Sequence, residues 1–486
     1  MLTQTALRSR QRPIQRQLST DTRRRAVARA EAAARKVLIV SYHFPPDSRV
    51  GAVRPAKFAK YLSRYGWHPY VLTIKTKHIP VPDPRRVDEV QSVPIVRTAV
   101  WPTATDLLLR ARHLLLRIFR PAGAGGRGLH PRGSIDGSMA VRHADGAEPR
   151  SWRGRLRKFL YTLFEFPDNE VGWVLPAVWR GYWLIRREEI PLVFVTSPPR
   201  SSVFIGLLLA RLTGARLVTD LRDPWYSREA FEMHRPVTRS ERLRAWLERE
   251  LMERSDHVIT TTDRYTGLLR KNYSGIEPGR FHTITNGYDA EDFASLQPVA
   301  PDRTFTMSYL GTFYWTRTPA PLLAALAELV RAGVVPRAVL RVNFIGTVRD
   351  AEGESVEELV RGYGLEGCVA IRGVVPYEQS LVEMKKSAVL VLMAPEVQYY
   401  GIPAKTFEYI AIERPILCLG DRGATADLIR RSGSGIVVDP SNIAEIKSAV
   451  EELYGAWCDG RPMTTAFDKT VFERSKLTRE LIHILT

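Results

Sequence analysis

Short apolar runs alternate with amphipathic segments along most of the chain. The run from Lys36 to Tyr42 is apolar on both faces, as are the strands of a parallel sheet. Residues 54–65 then repeat their apolar side chains with a helical period, Gly66 ends the helix, and residues 69–74 form a second apolar run. A strand, a helix and another strand in this order indicate a βαβ unit, and therefore a parallel α/β sheet.

The same alternation recurs and divides the chain into two α/β halves, which meet near residues 286–299. In the first half, we expect further strands at 192–196, 216–220 and 257–261, and a helix at 201–212. In the second half, we expect strands at 306–311, 340–345, 369–372, 388–393, 415–419 and 435–438, and helices at 319–332, 404–412 and 425–431. Domains are therefore predicted at 36–290 and 300–469, with a C-terminal amphipathic helix at 470–486.

The positive charge is concentrated in two segments. The 486 residues carry a formal net charge of +19. Residues 1–36 hold ten basic and two acidic side chains, and residues 101–160 hold twelve and four, which leaves +3 for the other 390 residues. We expect residues 1–35 to be a disordered basic tail and 101–160 to be an insertion in the first domain. Because the remainder is nearly neutral and shows no recognisable module, no specific nucleic-acid partner is expected.

The insertion contains a candidate membrane-binding helix. Residues 106–120 carry apolar side chains on one face and basic ones on the other, which is typical of helices on anionic membrane surfaces. A second basic and apolar stretch occupies 152–164. A helix packed on the core with a solvated basic face is the alternative. No apolar run approaches the ~20 residues that span a bilayer. Three widely spaced cysteines give no disulfide framework. We therefore expect a cytoplasmic protein, peripheral on the inner face of the cell membrane.

The loop after the first predicted strand favours ligand binding. Ligands of open α/β sheets bind beyond the carboxyl ends of the strands. Residues 42–54 leave the first strand there and contain His43, Gly51 and Arg54. The length of this loop and its histidine and arginine favour a ligand loop over a connection that is merely stiffened by prolines.

A second polar loop follows the predicted strand at 216–220. It contains Asp220, Arg222 and Asp223. Carboxylates and an arginine at a strand end are costly to bury unless they are paired. A catalytic or acceptor-binding role and an ion pair that braces the domain both explain these residues.

The second half has two loops suited to phosphate groups. Gly311 ends a predicted strand with Arg317 nearby, which alone is a weak signal. Residues 399–404 lead into a helix whose first turn presents Lys405, followed one turn later by Glu408. A helix N-terminus with a lysine suits a diphosphate, and a following carboxylate can hold sugar hydroxyls. This arrangement favours a diphosphate site over an ordinary solvated helix start.

Eight motifs together resemble the glycosyltransferases of family 4. In chain order they read VLIVSYHFPPDSRVGAVRPAKFAKYLSRYGW, FPDNEVGW, TSPPRSS, TDLRDPW, ITNGYD, YLGTF, GVVPY and GIPAKTFEYIAIERPIL. The resemblance implies the GT-B fold, two Rossmann-like domains that face each other across a cleft, with the last helix packing back on the first domain. It implies a retaining transferase that takes a sugar from a nucleotide-diphosphate sugar, needs no cofactor or bound metal, and acts on a lipid-linked, cell-envelope or exopolysaccharide glycan.

The family's functional residues carry over by position. Glu408 matches the second glutamate of the paired-glutamate motif, which binds ribose. The implied donor-binding residues are Gly51, Arg54, Gly311, Thr312, Gly373, Val375, Tyr400, Ile402, Pro403, Ala404, Lys405 and Glu408. The implied catalytic and acceptor-side residues are His43, Asp220, Arg222, Asp223, Arg317 and Lys405. We hypothesise that Lys405, Arg317 and helix N–H groups neutralise a departing diphosphate, which helps to deprotonate the acceptor hydroxyl.

One position departs from the family pattern. The first glutamate of the paired motif would lie eight residues before Glu408, where this sequence has Tyr400. The resemblance therefore does not imply a particular donor sugar. Two other functions stay open: a nucleotide-sugar epimerase on the same architecture, and a non-catalytic protein that binds nucleotide-sugars.

Overall fold

The computed structural model describes residues 35–103, 166–225, 239–294, 296–297, 303–313, 317–395, 399–464 and 466–486. The chain divides into two compact units. Residues up to 221, with 242–258 and 485, form the first unit, and residues 222–241, with 259–484 and 486, form the second. The predicted basic tail before residue 35 and the segments 106–120 and 152–164 lie outside the described residues, and the expectations for them stay predictions.

The first sheet has seven strands in the order β3-β2-β1-β4-β5-β6-β7. The strands are β1 (Lys36–Val40), β2 (His68–Ile74), β3 (Ile95–Thr98), β4 (Leu192–Ser197), β5 (Arg216–Leu221), β6 (His257–Thr260) and β7 (Phe281–Thr283). Strands β1 to β5 pair with their neighbours in parallel. The helices of this part of the chain are α1 (Val53–Arg64), α2 (Val174–Glu188), α3 (Arg200–Thr213), α4 (Arg239–Arg254), α5 (Asp263–Asn272) and α6 (Ala290–Ala294).

Glycines let two helices pack closely in the first unit. All six residues of β4 are buried, as expected for a strand covered on both faces. A Cβ at Gly206 of α3 would lie 2.8 Å from the Val195 side chain, and one at Gly181 of α2 would lie 2.8 Å from Leu209. Because glycine has no Cβ at these two positions, α3 can lie this close to the sheet and α2 this close to α3.

The second sheet has six parallel strands in the order β12-β9-β8-β13-β14-β15. They are β8 (Phe305–Thr312), β9 (Leu340–Thr347), β12 (Val369–Arg372), β13 (Val389–Met393), β14 (Ile416–Leu419) and β15 (Gly435–Val438); β10 (Asp350–Ala351) and β11 (Glu354–Ser355) form a small hairpin. The helices are α7 (Ala320–Arg331), α8 (Val356–Gly362), α9 (Tyr377–Lys386), α10 (Lys405–Ile412), α11 (Ala424–Ser432), α12 (Ile443–Cys458) and α13 (Arg474–Leu485). Apolar side chains on both faces of the sheet form the core of this unit.

The structure confirms the predicted α/β class with two parallel sheets. Within the described residues, each strand and helix predicted from the sequence is present, with ends shifted by a few residues. Several elements were not predicted, among them α2, α4 and α12. Helix α2 carries large apolar side chains on its exposed face as well as its buried face. Among the described helices, none is both long enough and apolar enough to cross a membrane.

The end of β8 depends on a glycine in the neighbouring strand. Gly346 of β9 lies opposite Gly311 in register, with a φ of +126°, and a Cβ there would lie 2.0 Å from the carbonyl oxygen of Gly311. We expect Gly346→Ala to lower the free energy of unfolding by about 2–4 kcal/mol, because it combines a clash with an unfavourable φ.

Thermal or urea unfolding measures this change. Gly362→Ala is the control, because a Cβ there has no neighbour within 4 Å, and it should change stability by less than about 0.5 kcal/mol. Equal stability of the two variants would contradict the close strand contact.

Candidate functional site

In the second unit, Lys405 extends to the end of β8. It is the first residue of α10, and its Nζ donates a hydrogen bond of 2.7 Å to the Leu310 carbonyl oxygen. The ammonium lies 3.6 Å from the centroid of the Tyr309 ring, a close cation–π contact. A Cβ at Gly311 would lie 3.1 Å from Nζ. The predicted pair of Gly311 and Lys405 is therefore brought together, with glycine leaving room beside the ammonium.

Two cations and one carboxylate share this location. Burial lowers the pKa of Lys405 well below its usual value, the nearby positive charge of Arg317 lowers it further, and Glu408 opposes them. Arg317 is itself only 7% exposed. Because an added negative charge would favour the ammonium form, the site is suited to an anion.

The start of α10 adds the positive end of a helix dipole to these side chains. No side chain caps the helix, whose N-cap residue is Ala404. The Pro403 and Ala404 carbonyls accept from the N–H groups of Thr406 and Phe407. First-turn N–H groups and the helix dipole attract anions. Ile402 packs against the apolar core just before the helix.

Glu408 is tied to the loop predicted to lie near the nucleobase. The Tyr377 hydroxyl donates a 3.0 Å hydrogen bond to Oε1 of Glu408 and lies 3.4 Å from Asp292. Burial, followed by these two carboxylates, raises the pKa of Tyr377 well above its usual value, so the hydroxyl keeps its proton. Tyr377 begins α9 directly after the loop that holds Gly373 and Val375. The motif GVVPY contains Tyr377, but the motif alone gives it no role.

Backbone hydrogen bonds hold the loop that carries Tyr400. The Tyr400 carbonyl accepts from Thr262 Oγ1 at 2.6 Å, and the Gly401 carbonyl accepts from Thr425 Oγ1 at 3.1 Å. The Tyr400 ring meets Tyr399 edge to face, with centroids 5.0 Å apart. The residue at the position of the missing glutamate thus has an ordered backbone, and a contact of its side chain with a donor sugar stays a prediction.

In the first unit, His43 belongs to a buried hydrogen-bonded group. Its Nδ1 lies 3.0 Å from Oδ2 of Asp47, whose carboxylate also accepts from Nε and Nη2 of Arg49. Burial by itself would raise the pKa of Asp47, but the hydrogen bonds from His43 and Arg49 prevail and lower it to about 2. A Cβ at Gly51 would lie 3.1 Å from the imidazole. Asp47 and Gly51 therefore fix the orientation of the His43 ring.

Arg54 and Asp220 form an ion pair inside the first unit. Arg54 is 1% exposed, and its Nη2 lies 2.8 Å from Oδ1 of Asp220, which also accepts from Thr196 Oγ1 at 2.7 Å. Asp220 is thus part of a bracing pair, but its partner is Arg54 from the first loop rather than Arg222. The Arg222 carbonyl accepts from Thr261 Oγ1 at 2.9 Å, and Asp223 is half-buried. Roles of Arg54, Arg222 and Asp223 toward substrate stay predictions.

A carboxyl pair that the motif reading did not assign lies near Tyr42. Asp168 accepts from the N–H of Ser201 at 2.9 Å, at the start of α3. Burial and the charge of Asp168 raise the pKa of Glu170 to about 8. Burial and Glu170 in turn raise the pKa of Tyr42 above its usual value. Both carboxyl residues belong to the motif FPDNEVGW, and only the folded structure shows that they interact.

Metal ligands are not grouped in the described part of the chain. No three His, Cys, Asp or Glu side chains there are arranged to hold a metal ion. The metal-independent mechanism stays a prediction.

Family comparisons cover both halves of the chain. A family model described as Glycosyltransferase Family 4 matches residues 138–292, and one described as Glycosyl transferases group 1 matches residues 304–456. The chain belongs to the group 1 glycosyltransferases of family 4. The resemblance of its motifs is thereby confirmed, and the protein is an enzyme of the glycosyltransferase type. No curated protein matches the chain in sequence.

Solved structures show the same fold at low identity. Sucrose-phosphate synthase from Thermosynechococcus elongatus aligns with a TM-score of 0.57 at 16% identity, over 93% of this chain and 98% of its own. Anabaena Alr3699/HepE in complex with UDP aligns with a TM-score of 0.57 at 13% identity, over 93% of this chain and 99% of its own. WaaG, a glycosyltransferase involved in lipopolysaccharide biosynthesis, aligns with a TM-score of 0.52 at 13% identity, over 93% of this chain and 99% of its own. These glycosyltransferase-fold neighbours support two Rossmann-like domains.

The raised pKa of Glu170 predicts a pH-dependent stability. Its carboxyl titrates near 4.5 when unfolded and at about 8 when folded, so the stability that its proton confers is lost as pH rises across that window. Glu170→Gln cannot titrate. We expect the Tm of the glycosyltransferase minus that of Glu170→Gln to fall as pH rises from 4.5 to about 8 and then to level out.

Scanning calorimetry at several pH values checks this trend. Glu189→Gln, which changes an exposed carboxylate, is the matched control and should show a flat difference. A flat profile for Glu170→Gln as well would show that Glu170 titrates normally in the folded protein.

Proposed function

We propose that this glycosyltransferase moves a sugar from a nucleotide-diphosphate sugar to a hydroxyl of a glycan acceptor with retention of configuration. The observation that carries the proposal is the position of Lys405, whose ammonium lies beside Gly311 and near Arg317 at the uncapped start of α10. Two cations face one carboxylate, Glu408, at this location, and a diphosphate leaving group supplies the negative charge that balances them.

Charge stabilisation supplies most of the catalysis in this proposal. As the bond between the anomeric carbon and the diphosphate oxygen breaks, negative charge grows on that oxygen, and Lys405, Arg317 and the N–H groups of α10 stabilise it. These groups are in place before the reaction, so little reorganisation opposes it. A diphosphate oxygen then accepts the proton of the attacking acceptor hydroxyl on the same face of the sugar, which retains the configuration.

Glu408 and the neighbouring loop bind the nucleoside in this proposal. The carboxylate of Glu408 accepts hydrogen bonds from the ribose hydroxyls, and Tyr377 holds it in place. Val375 lies beside the base, in a loop directly before Tyr377. UDP, which is bound in the HepE structure, gives a reason to test UDP-sugars first.

The acceptor is proposed to be a lipid-linked or cell-envelope glycan handled at the inner face of the cell membrane. The basic amphipathic sequence at 106–120 and the basic stretch at 152–164 support this class, because such segments attract anionic lipid. His43, held by Asp47, is the acceptor-side group whose orientation is best defined.

Lys405→Ala tests the donor site. We expect it to lower kcat/KM for a nucleotide-sugar about 100- to 1000-fold, the usual loss when one group that stabilises developing charge is removed. Steady-state kinetics with nucleotide-sugar and acceptor measure the change. Lys447→Ala, which removes a half-buried lysine paired with Glu328 on the same unit, should leave kcat/KM unchanged. Wild-type turnover by Lys405→Ala would remove this lysine from the mechanism.

Incubation with a nucleotide-sugar alone separates the proposed transferase from an epimerase, because the fold by itself does not distinguish the two. We expect slow hydrolysis to sugar and nucleoside diphosphate, with no change at C2 or C4 of the sugar, as followed by NMR. Rapid epimerisation without acceptor would replace the proposed function. Binding of the nucleotide without either reaction, in the presence of acceptors, would favour a non-catalytic protein.

A further inference from the structure

Helix α2 exposes a stripe of large apolar side chains. Leu175, Trp179 and Trp183 are 65%, 69% and 53% exposed. They follow one another at intervals of four residues, which places them along one face of the helix over about 12 Å. A contiguous exposed patch of this kind is uncommon on a protein that has no partner for it.

The opposite face of α2 is buried against the core of the first unit. Ala177, Gly181 and Ile185 are buried there. A Cβ at Gly181 would lie 2.8 Å from Leu209 and 3.0 Å from Leu72. Because α2 packs closely against Leu209 and Leu72 through this face, it cannot rotate to bury its aromatic stripe.

The rings of the stripe contact one another rather than other parts of the described chain. Trp179 and Trp183 meet edge to face with centroids 6.0 Å apart, and Tyr182 meets Trp183 at 5.4 Å. The cluster therefore presents indole rings to the surroundings. Indole prefers the boundary between water and acyl chains, because it combines a large apolar ring with one N–H donor.

Basic side chains border the stripe. Arg180, Arg186 and Arg187 are exposed on the same helix. Glu188 is half-buried, accepts a 3.1 Å hydrogen bond from the Tyr70 hydroxyl and lies 3.3 Å from Nε of Arg187, so Arg180 and Arg186 supply the positive charge that Glu188 does not pair. In the sequence, the segment 101–160 with its net charge of +8 ends shortly before this helix. The charge around the aromatic rings is thus complementary to an anionic surface.

We propose that Leu175, Trp179 and Trp183 form a docking face for an anionic lipid bilayer, with the flanking arginines contacting phosphate groups. A second copy of the chain fits the face less well, because it would bring two clusters of like charge together. This inference does not depend on the donor site or on the proposed reaction.

Vesicle flotation of the full chain tests the docking face. With vesicles of phosphatidylcholine and phosphatidylglycerol, we expect Trp179→Ser/Trp183→Ser to bind about tenfold or more weakly than wild type, because two indoles no longer leave water. Wild type should bind phosphatidylcholine alone more weakly than the anionic mixture. Arg186→Gln/Arg187→Gln should reduce that preference for anionic lipid.

Trp246→Ser is the matched control. Trp246 is 54% exposed on α4, so its loss changes an exposed indole outside the proposed face, and flotation should stay at the wild-type level. Quenching of tryptophan fluorescence by brominated anionic lipid gives a second measurement. Trp179→Phe/Trp183→Phe keeps the apolar face, so it should float like wild type but show less quenching.

Three results would overturn the proposal. In the first, the wild type does not float with anionic vesicles. In the second, Trp179→Ser/Trp183→Ser floats as well as the wild type. In the third, the wild type is a dimer and this variant is a monomer, but both float equally. The last result, from light scattering, would assign the face to a second copy. Unchanged circular dichroism and an unchanged Tm show that the variants fold.

Discussion

The close approach of β8 and β9 at Gly311 and Gly346 is the constraint on which the candidate site around Lys405 depends. Only a hydrogen atom fits at Gly346, because a Cβ would lie 2.0 Å from the Gly311 carbonyl oxygen. With the strands at this distance, the end of β8 is fixed, and the Lys405 ammonium can reach the Leu310 carbonyl while it rests on the Tyr309 ring. A backbone contact thus determines where the key cation lies.

That cation is held in an environment that disfavours its own charge. Burial and Arg317 both lower the pKa of Lys405, and Glu408 compensates only in part. A folded protein keeps such an arrangement at a cost to its stability, and an anionic ligand offsets the cost when it binds. The same reasoning explains why Tyr377 accompanies Glu408: a hydroxyl with a raised pKa donates to the carboxylate at any pH near neutrality.

The first unit uses its charges differently. Arg54 at the start of α1 and Asp220 near the end of β5 meet in the interior, where each neutralises the other and Thr196 adds a hydrogen bond. Breaking such a buried pair by removing one partner leaves an uncompensated charge. His43 and Asp47 form a second pair, which orients an imidazole. In this unit, two ion pairs therefore stabilise the region at the strand ends, and the pair with Asp47 also orients His43.

The sequence by itself determined the α/β class, the order of most strands and helices, and the positions of Gly311 at a strand end and Lys405 at a helix start, because alternating apolar runs and glycine positions are local signals. It did not determine which charges meet. Arg54 and Asp220 are 166 residues apart, and Asp168 and Glu170 acquire their chemistry only when α3 and Tyr42 enclose them. It also did not reveal the exposed face of α2, because the packing of the helix decides which of its apolar side chains stay exposed. Burial and long-range contact set pKa values and exposure, and only the tertiary structure decides these.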